Sequence, residues 1–544
     1  MTRPPYSMAV RSHSTSAGIA ISSTVGWRYP LGGRVLFGRT SGVLSTGLPS
    51  LDVCTIGFDP VDEPRSNKPK GPLVFLIASG AHRSRTRRLV WILWLGTLFF
   101  GSAPSFSAET NRESGTAVAI STAKKKRIEF LPGLSAGASS RFRFEDKRDF
   151  QFGLVGGPAN NDEYYLTQLR VNLGWKPIES LAFFVEGQDS RVFGERAIND
   201  DAIPNVFADE FDLHQAHVTL SHDVRGVPVA LKVGRQKLNL GAQRLLASLE
   251  WVNTARVHDA IRLTIGGPER NLEIIGSRLV PVQPNDFNDW DDTGSRYFNS
   301  DLHTLYFTDE KLLKDTLLEA YYIVRRESDL NDLTHTLGGR VVTNRAPFDF
   351  HVEAAFQTGE YGDQDHLAGM LHLETGYTTD AIPILPKSRF SAAYNFGSGD
   401  DDAGDGTHGT FDNLYPLNHA YYGFMDFFGL QNLHNFEFVH STKIAKKATF
   451  RLAYQGFWLA EPQDDAWYNA GLAPFRPATA GGDEYVGSEI DVTLKVPLDL
   501  HLATGKLVTL IGYSHFFAGD FVRDSGGGKG ADADFVFVQT KVSF

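Results

Sequence analysis

The sequence predicts an all-β fold, a transmembrane antiparallel up-and-down β-barrel of about 18 strands. Three observations carry that expectation. The chain ends on an alternating decapeptide, Phe535 to Phe544. Val536, Val538, Thr540, Val542 and Phe544 share one face, and Phe537, Gln539, Lys541 and Ser543 share the other. A period of two marks a strand whose faces meet different surroundings. Segments of this kind recur along residues 131–544, with arginine and glutamate on one face and aliphatic or aromatic residues opposite. The mean hydropathy of −0.22 is too polar for a helical bundle, in which each span needs about 20 apolar residues. It suits strands that turn only alternate residues toward lipid.

The first elements in chain order are ones the mature protein is expected to lose. Residues 1–82 are rich in Ser, Gly, Arg and Pro, without a period or a repeat. They read as an upstream extension, either disordered or arising from a start placed too early, with translation beginning near residues 73–80. Residues 83–108 then read as a signal peptide. Arg83, Arg85, Arg87 and Arg88 precede the apolar run Leu89 to Phe100, and Ser105 to Ala108 supply a small–x–small cleavage site before Glu109. An uncut signal anchor is the alternative. Residues 109–130, with Lys124 to Arg127, read as a short polar periplasmic lead.

The barrel strands follow. Ser139 to Glu145 sets Arg141, Arg143 and Glu145 against Phe142 and Phe144. Thr167 to Trp175 sets Leu169, Val171, Leu173 and Trp175 against Gln168, Arg170 and Asn172. Glu489 to Val496 opposes Ile490, Val492, Leu494 and Val496 to Glu489, Asp491, Thr493 and Lys495. Similar strands start near residues 181, 213, 228, 256, 271, 302, 316, 335, 348, 368, 387, 433, 448, 506 and 534. A soluble sandwich or propeller also has many strands, but it does not put charge on one face of strand after strand. A membrane barrel must, because a charge facing lipid costs about 2–4 kcal/mol at the midplane.

Connections alternate in length. Lys176-Pro177, Gly226 to Pro228, Ala346-Pro347 and Pro497 to Asp499 carry turn chemistry and are expected on the periplasmic side. The acidic, glycine-rich stretches 189–210, 280–300, 397–432 and 460–483 are expected as outer loops. Charge divides in the same direction. Residues 1–108 hold 12 Lys/Arg against 4 Asp/Glu, so the whole-chain −11 leaves −19 for residues 109–544. So acidic a body lacks the basic stripe of a nucleic-acid binder. The single cysteine, Cys54, lies upstream of the patterned region and excludes a disulfide framework or a cysteine zinc site.

Two blocks carry a resemblance. Val233 to Leu245 (VGRQKLNLGAQRL), with Glu250 to Asn253 and Arg256 to Leu263, is similar to the alginate export family of outer-membrane proteins. So are Gly397 to Phe411 (GSGDDDAGDGTHGTF) and Leu414 to Asp426 (LYPLNHAYYGFMD). The resemblance covers roughly residues 131–544. It implies an 18-stranded barrel with a charged pore in the outer membrane of a Gram-negative bacterium. Separately, the alternating terminal strand with its last phenylalanine resembles the closing strand of bacterial outer-membrane barrels, which implies that the barrel-assembly machinery reads it. The family's name comes from a member that exports a polyuronate, and many relatives have no established substrate.

Parity places Arg141, Arg143, Arg170, Arg262 and Arg451 in the lumen with Lys232 and Lys541. Guanidinium forks suit a polymer bearing one carboxylate per sugar. The same arginines could instead pair with lumen carboxylates, of which Glu145, Glu186, Glu319, Glu353, Glu374, Glu437 and Glu489 are available. Asp400, Asp401, Asp402 and Asp405, spaced by glycines, could supply oxygens to calcium, although they do not match an EF-hand, and a solvated acidic loop is the alternative. No other cofactor is expected. His214, His217, His351, His372, His434 and His440 are scattered one per strand, and no hydrolase or phosphate-loop motif is present.

Three functions compete. The first is a channel for an anionic oligosaccharide, polysaccharide or other charged solute. The second is a barrel enzyme with a nucleophile and base on neighbouring strands, and the third a structural or adhesive barrel with a plugged lumen. The first is favoured, without catalysis. A polymer exporter would require periplasmic partners; an uptake porin would not.

Overall fold

The computed structural model describes residues 132–544, apart from 154–160, 195–205, 289–299, 328–330, 445–446, 464, 477–482, 500–504 and 526–529. It also describes the backbone of three short upstream strands, Ser22–Arg28, Arg34–Ser41 and Asp52–Phe58, which pair antiparallel in a unit of their own. The signal and lead segments at 83–130 lie outside the described residues.

Eighteen strands close the barrel. They are β1 (Leu134–Arg148), β2 (Asp162–Ile178), β3 (Leu181–Phe193), β4 (Asp209–Val224), β5 (Val227–Gln236), β6 (His258–Gly267), β7 (Arg270–Leu279), β8 (Ser300–Leu313) and β9 (Thr316–Glu327). Then come β10 (Asp332–Arg345), β11 (Phe348–Tyr361), β12 (Gln364–Thr379), β13 (Ser388–Gly397), β14 (Leu433–Lys443), β15 (Thr449–Trp458), β16 (Tyr485–Asp499), β17 (Lys506–Ala518) and β18 (Ala533–Ser543). Each pairs antiparallel with its sequence neighbours, and β18 returns to β1 with Lys541 opposite Arg141 and Asp534 opposite Arg148. The Phe544 amide donates to Ala138 O at 2.9 Å and extends the seam to the last residue. Closure leaves no edge, which hydrocarbon would not tolerate.

The alternation produces two surfaces. Leu337 is 63% exposed on the outside while its neighbour Thr336 is fully buried inside. Leu173, Ile261, Phe356 and Phe438 join the outer apolar belt. Expected strand starts lie within five residues of the observed ones. Three proposed turns shift: Lys176-Pro177 and Pro497 to Asp499 lie inside β2 and β16, Val227 and Pro228 open β5 so that the β4–β5 turn is Arg225-Gly226, and the β2–β3 turn is Glu179-Ser180. Pro177 falls at an irregularity of the β2–β3 register between Trp175 and Ile178, a place where strands accept proline.

The larger departure concerns the long connections. Residues 237–257, between β5 and β6, and 398–432, between β13 and β14, fold into the lumen, so 397–432 is not simply an outer loop. The reason is its second half. Phe411, Leu414, Tyr415, Tyr422, Met425, Phe427, Phe428 and Leu430 are buried against Phe457, Phe516, Phe535 and Phe537 from the wall, and against Phe152 and Trp467 from neighbouring loops. Burying each such side chain stabilises by about 1.5–3 kcal/mol, a gain that water outside the barrel would not provide. The two loops also pair with each other. Ala247 N donates to Tyr415 O, Tyr415 N to Leu245 O and Leu417 N to Gln243 O, at 2.8, 2.9 and 3.0 Å.

Candidate functional site

The lumen has two zones. In the half nearer the long connections, the loops cover the charged wall; in the half nearer the short turns, charges stay partly exposed.

On the covered side, Arg141 donates from Nη1 to Glu250 O at 2.6 Å and from Nη2 to Val252 O at 2.9 Å. Arg143 donates to Trp251 O at 2.6 Å and pairs with Glu145 at 2.6 Å. Arg170 binds the Glu250 carboxylate at 2.7 Å, and Gln168 and Gln188 donate to Asn253 O and Thr254 O, each at 2.6 Å. These donors sit on β1, β2 and β3, and parity aims them all inward. They satisfy the carbonyls of an irregular segment, 250–254, that has few partners of its own. Glu250 lies in the loop. Burial pushes its carboxyl up, but Arg170, Lys237 and Lys541 outweigh that and hold it well below the usual carboxylate range.

Strands farther around the barrel hold the second loop. Arg325 of β9 pairs with Asp412 at 2.9 Å, and Gln357 of β11 donates to Asp412 O at 2.7 Å. Glu489 of β16, fully buried, accepts from Met425 N at 3.1 Å. Glu319 is buried against Arg340 at 2.5 Å. Thus Arg141, Arg143, Arg170, Glu145, Glu319 and Glu489 face inward as parity requires, but their charges end on other protein groups. No periodicity within a strand signals the loop contacts of Arg141, Arg143, Arg170 and Glu489, whose loop partners lie 64 to 109 residues away, whereas Glu319 meets its register partner Arg340 on the next strand.

Nearer the short turns, Arg262 pairs with Glu273 at 2.5 Å and Arg451 with Glu437 at 2.7 Å, their side chains 20% and 25% exposed. Lys232, the register partner of Arg262, is partly exposed on the same inner face, and Lys541, opposite Arg141 and close to Glu250, is partly exposed beside the covered side. Arg389 grips Asp349 and Glu374 at 2.5 and 2.7 Å, and His351 lies 3.4 Å from Glu374. The parity reading passed over Arg389 and Asp349. His351 and Glu374 are register partners across β11 and β12, a proximity that only the pairing reveals.

The aspartates proposed for calcium serve the loop. Asp400 N donates to Asp465 Oδ2, and the carboxylates of Asp400, Asp402 and Asp405 accept the amides of Asp402, Gly404 and Thr407. Asp401 is exposed. Among the described residues no group of three or more His, Cys, Asp or Glu is arranged to hold a metal. A serine–histidine pair does occur on neighbouring strands, with Ser388 Oγ 3.0 Å from His440 Nε2. That hydroxyl is fully buried and also lies 2.8 Å from Leu385 O, to which it donates, so it is not placed to attack a substrate.

The alginate export family model matches residues 133–538. Among solved structures, the chain is similar to Pseudomonas aeruginosa OccK8 (OprE), with a TM-score of 0.51 and 14% identity over 76% of this chain and 99% of that one. It is also similar to Pseudomonas aeruginosa OpdK with vanillate, with a TM-score of 0.50 and 10% identity over 75% and 98%. At these identities the likeness is one of fold. A comparison with curated proteins returns no match.

Proposed function

This chain belongs to the alginate export family of outer-membrane barrels, and on that premise we propose that its channel passes an anionic solute, of the uronate oligosaccharide or polysaccharide class. The observation that carries the proposal is Arg451. One terminal nitrogen of its guanidinium binds Glu437 at 2.7 Å, the other is buried beside the Phe424 ring without a hydrogen-bond partner, and the side chain as a whole stays 25% exposed on the inner face. A partly exposed guanidinium on the inner wall attracts a passing carboxylate, and a charge-assisted bond to it is about twice as strong as a neutral one. Arg262, Lys232 and Lys541 supply further cationic positions along the same inner face, so a chain of carboxylates would meet successive partners. No catalytic step is assigned.

Planar-bilayer recording tests this. The wild-type barrel should conduct, and uronate oligomers should block the current. The Arg262→Gln, Arg451→Gln double variant should weaken that block about tenfold, the loss of roughly one charge-assisted contact. Equal block of both proteins would remove the anionic reading. A second reading, a plugged structural barrel, draws on the aromatic core that fills part of the lumen; absence of any wild-type conductance would favour it.

A further inference from the structure

The first inward loop is held by β1–β3 and, through Arg244 and Glu353 at 3.5 Å, by β11; the second is held by β9, β11 and β16. Trp251 sits where they meet. One face of its indole is covered by Arg143, whose Cζ lies 4.0 Å from the ring centroid. The other is stacked by His419 of the second loop, with centroids 3.7 Å apart and planes within 11°. Its Nε1 donates to Asp426 Oδ2 at 3.1 Å, while Asp426 Oδ1 lies 2.9 Å from His419 Nδ1. Phe537 of β18 closes the edge at 5.2 Å. With both faces and the polar edge occupied, this ring offers no platform to a solute. It is a joint between a wall arginine and two residues of the other loop.

We propose that the two loops form one jointed partition across the lumen and that Trp251 is the positioning residue that couples them. A second joint, the backbone pairing of 243–247 with 415–417, lies elsewhere on the same loops. Two separate joints prevent one loop from swinging while the other stays. Each wall's contacts therefore hold both loops, and loosening either releases the pair. That this release widens a solute passage rests on the channel reading above; the coupling itself does not.

Hydrogen exchange of the full-length barrel in detergent, read by mass spectrometry over 237–257 and 398–432, tests the coupling. In Trp251→Ala, amides of both segments should exchange about tenfold faster, since an aromatic and cation–π joint is lost from a locally opening unit. Trp251→Phe, which keeps a stacking ring but loses the Nε1 bond, should fall between. Because coupling is reciprocal, His419→Ala in the second loop should speed exchange in the first by a similar factor. If Trp251→Ala does not assemble, Trp251→Phe and His419→Ala make the same comparison. Exchange that rises only in the loop carrying the substitution overturns the proposal. If both loops loosen together yet neither wild type nor variants conduct, the partition stands and the channel reading fails. If the wild type conducts and the loops exchange independently, the reverse holds.

Discussion

Arg143 and Arg451 look alike in the sequence, each an inward arginine on a strand, yet they have different tasks. Arg143 is 3% exposed, and its donors are spent on Trp251 O and Glu145. Arg451 pairs with Glu437 but keeps its side chain 25% exposed on the inner face. Parity assigned both to the inner face, but it could not tell a covered charge from an open one, since the cover is a loop distant in sequence. Arg143→Gln with Arg170→Gln should therefore act on the loop rather than on selectivity. Charge-assisted bonds contribute about 1.5–3 kcal/mol each, so the double variant should lower thermal stability and make the current noisy as segment 250–254 detaches. Its ion preference should stay near wild type. A large selectivity change with quiet current would show that these arginines face the passage after all.

At the scale of elements, the strands were legible because membrane burial imposes one rule on all of them. β9, β11, β14 and β17 begin where alternation alone places them, and β4 and β12 begin four residues earlier. The inward loops were not legible, because their signal was mixed. The acidic start of 397–432 reads as solvated, while its aromatic second half, Phe411 to Leu430, satisfies itself only inside the barrel. The terminal strand offers the plainest test. β18 presents Val536, Val538 and Phe544 outward, at 38%, 37% and 46% exposure, and the Phe544 amide completes the seam with Ala138. Deleting Val542 to Phe544 removes the last pairings to β1 and the final outward ring. Heat-modifiable barrel in the outer membrane should fall severalfold while synthesis continues, with Phe544→Ala intermediate. Wild-type levels from the truncated gene would make the ending incidental to assembly.

For the whole molecule, two electrostatic scales compete. Residues 109–544 carry −19, concentrated partly in acidic connections such as 400–405, where Asp401, Asp402 and Asp405 are exposed. The inner wall nearer the short turns instead mixes Arg262, Arg451 and Lys232 with paired carboxylates. The loop charges act on an entering ion across water and are screened beyond a Debye length, about 8 Å at physiological salt and about 30 Å at 0.01 M. Wall charges act at contact distance and are screened far less. At low salt the acidic exterior should therefore dominate and enrich cations at the mouth. As salt rises that contribution fades, and the preference should move toward anions. Reversal potentials measured under a fixed KCl ratio at successively higher concentration read the shift directly. Arg262→Gln with Arg451→Gln should flatten it, because the cationic wall contribution that screening uncovers would then be smaller. A preference that does not move with salt would place the selecting charges on one scale only. If that fixed preference were cationic, the partly exposed arginines would be neutralised by Glu273 and Glu437 more fully than their 20% and 25% exposure implies.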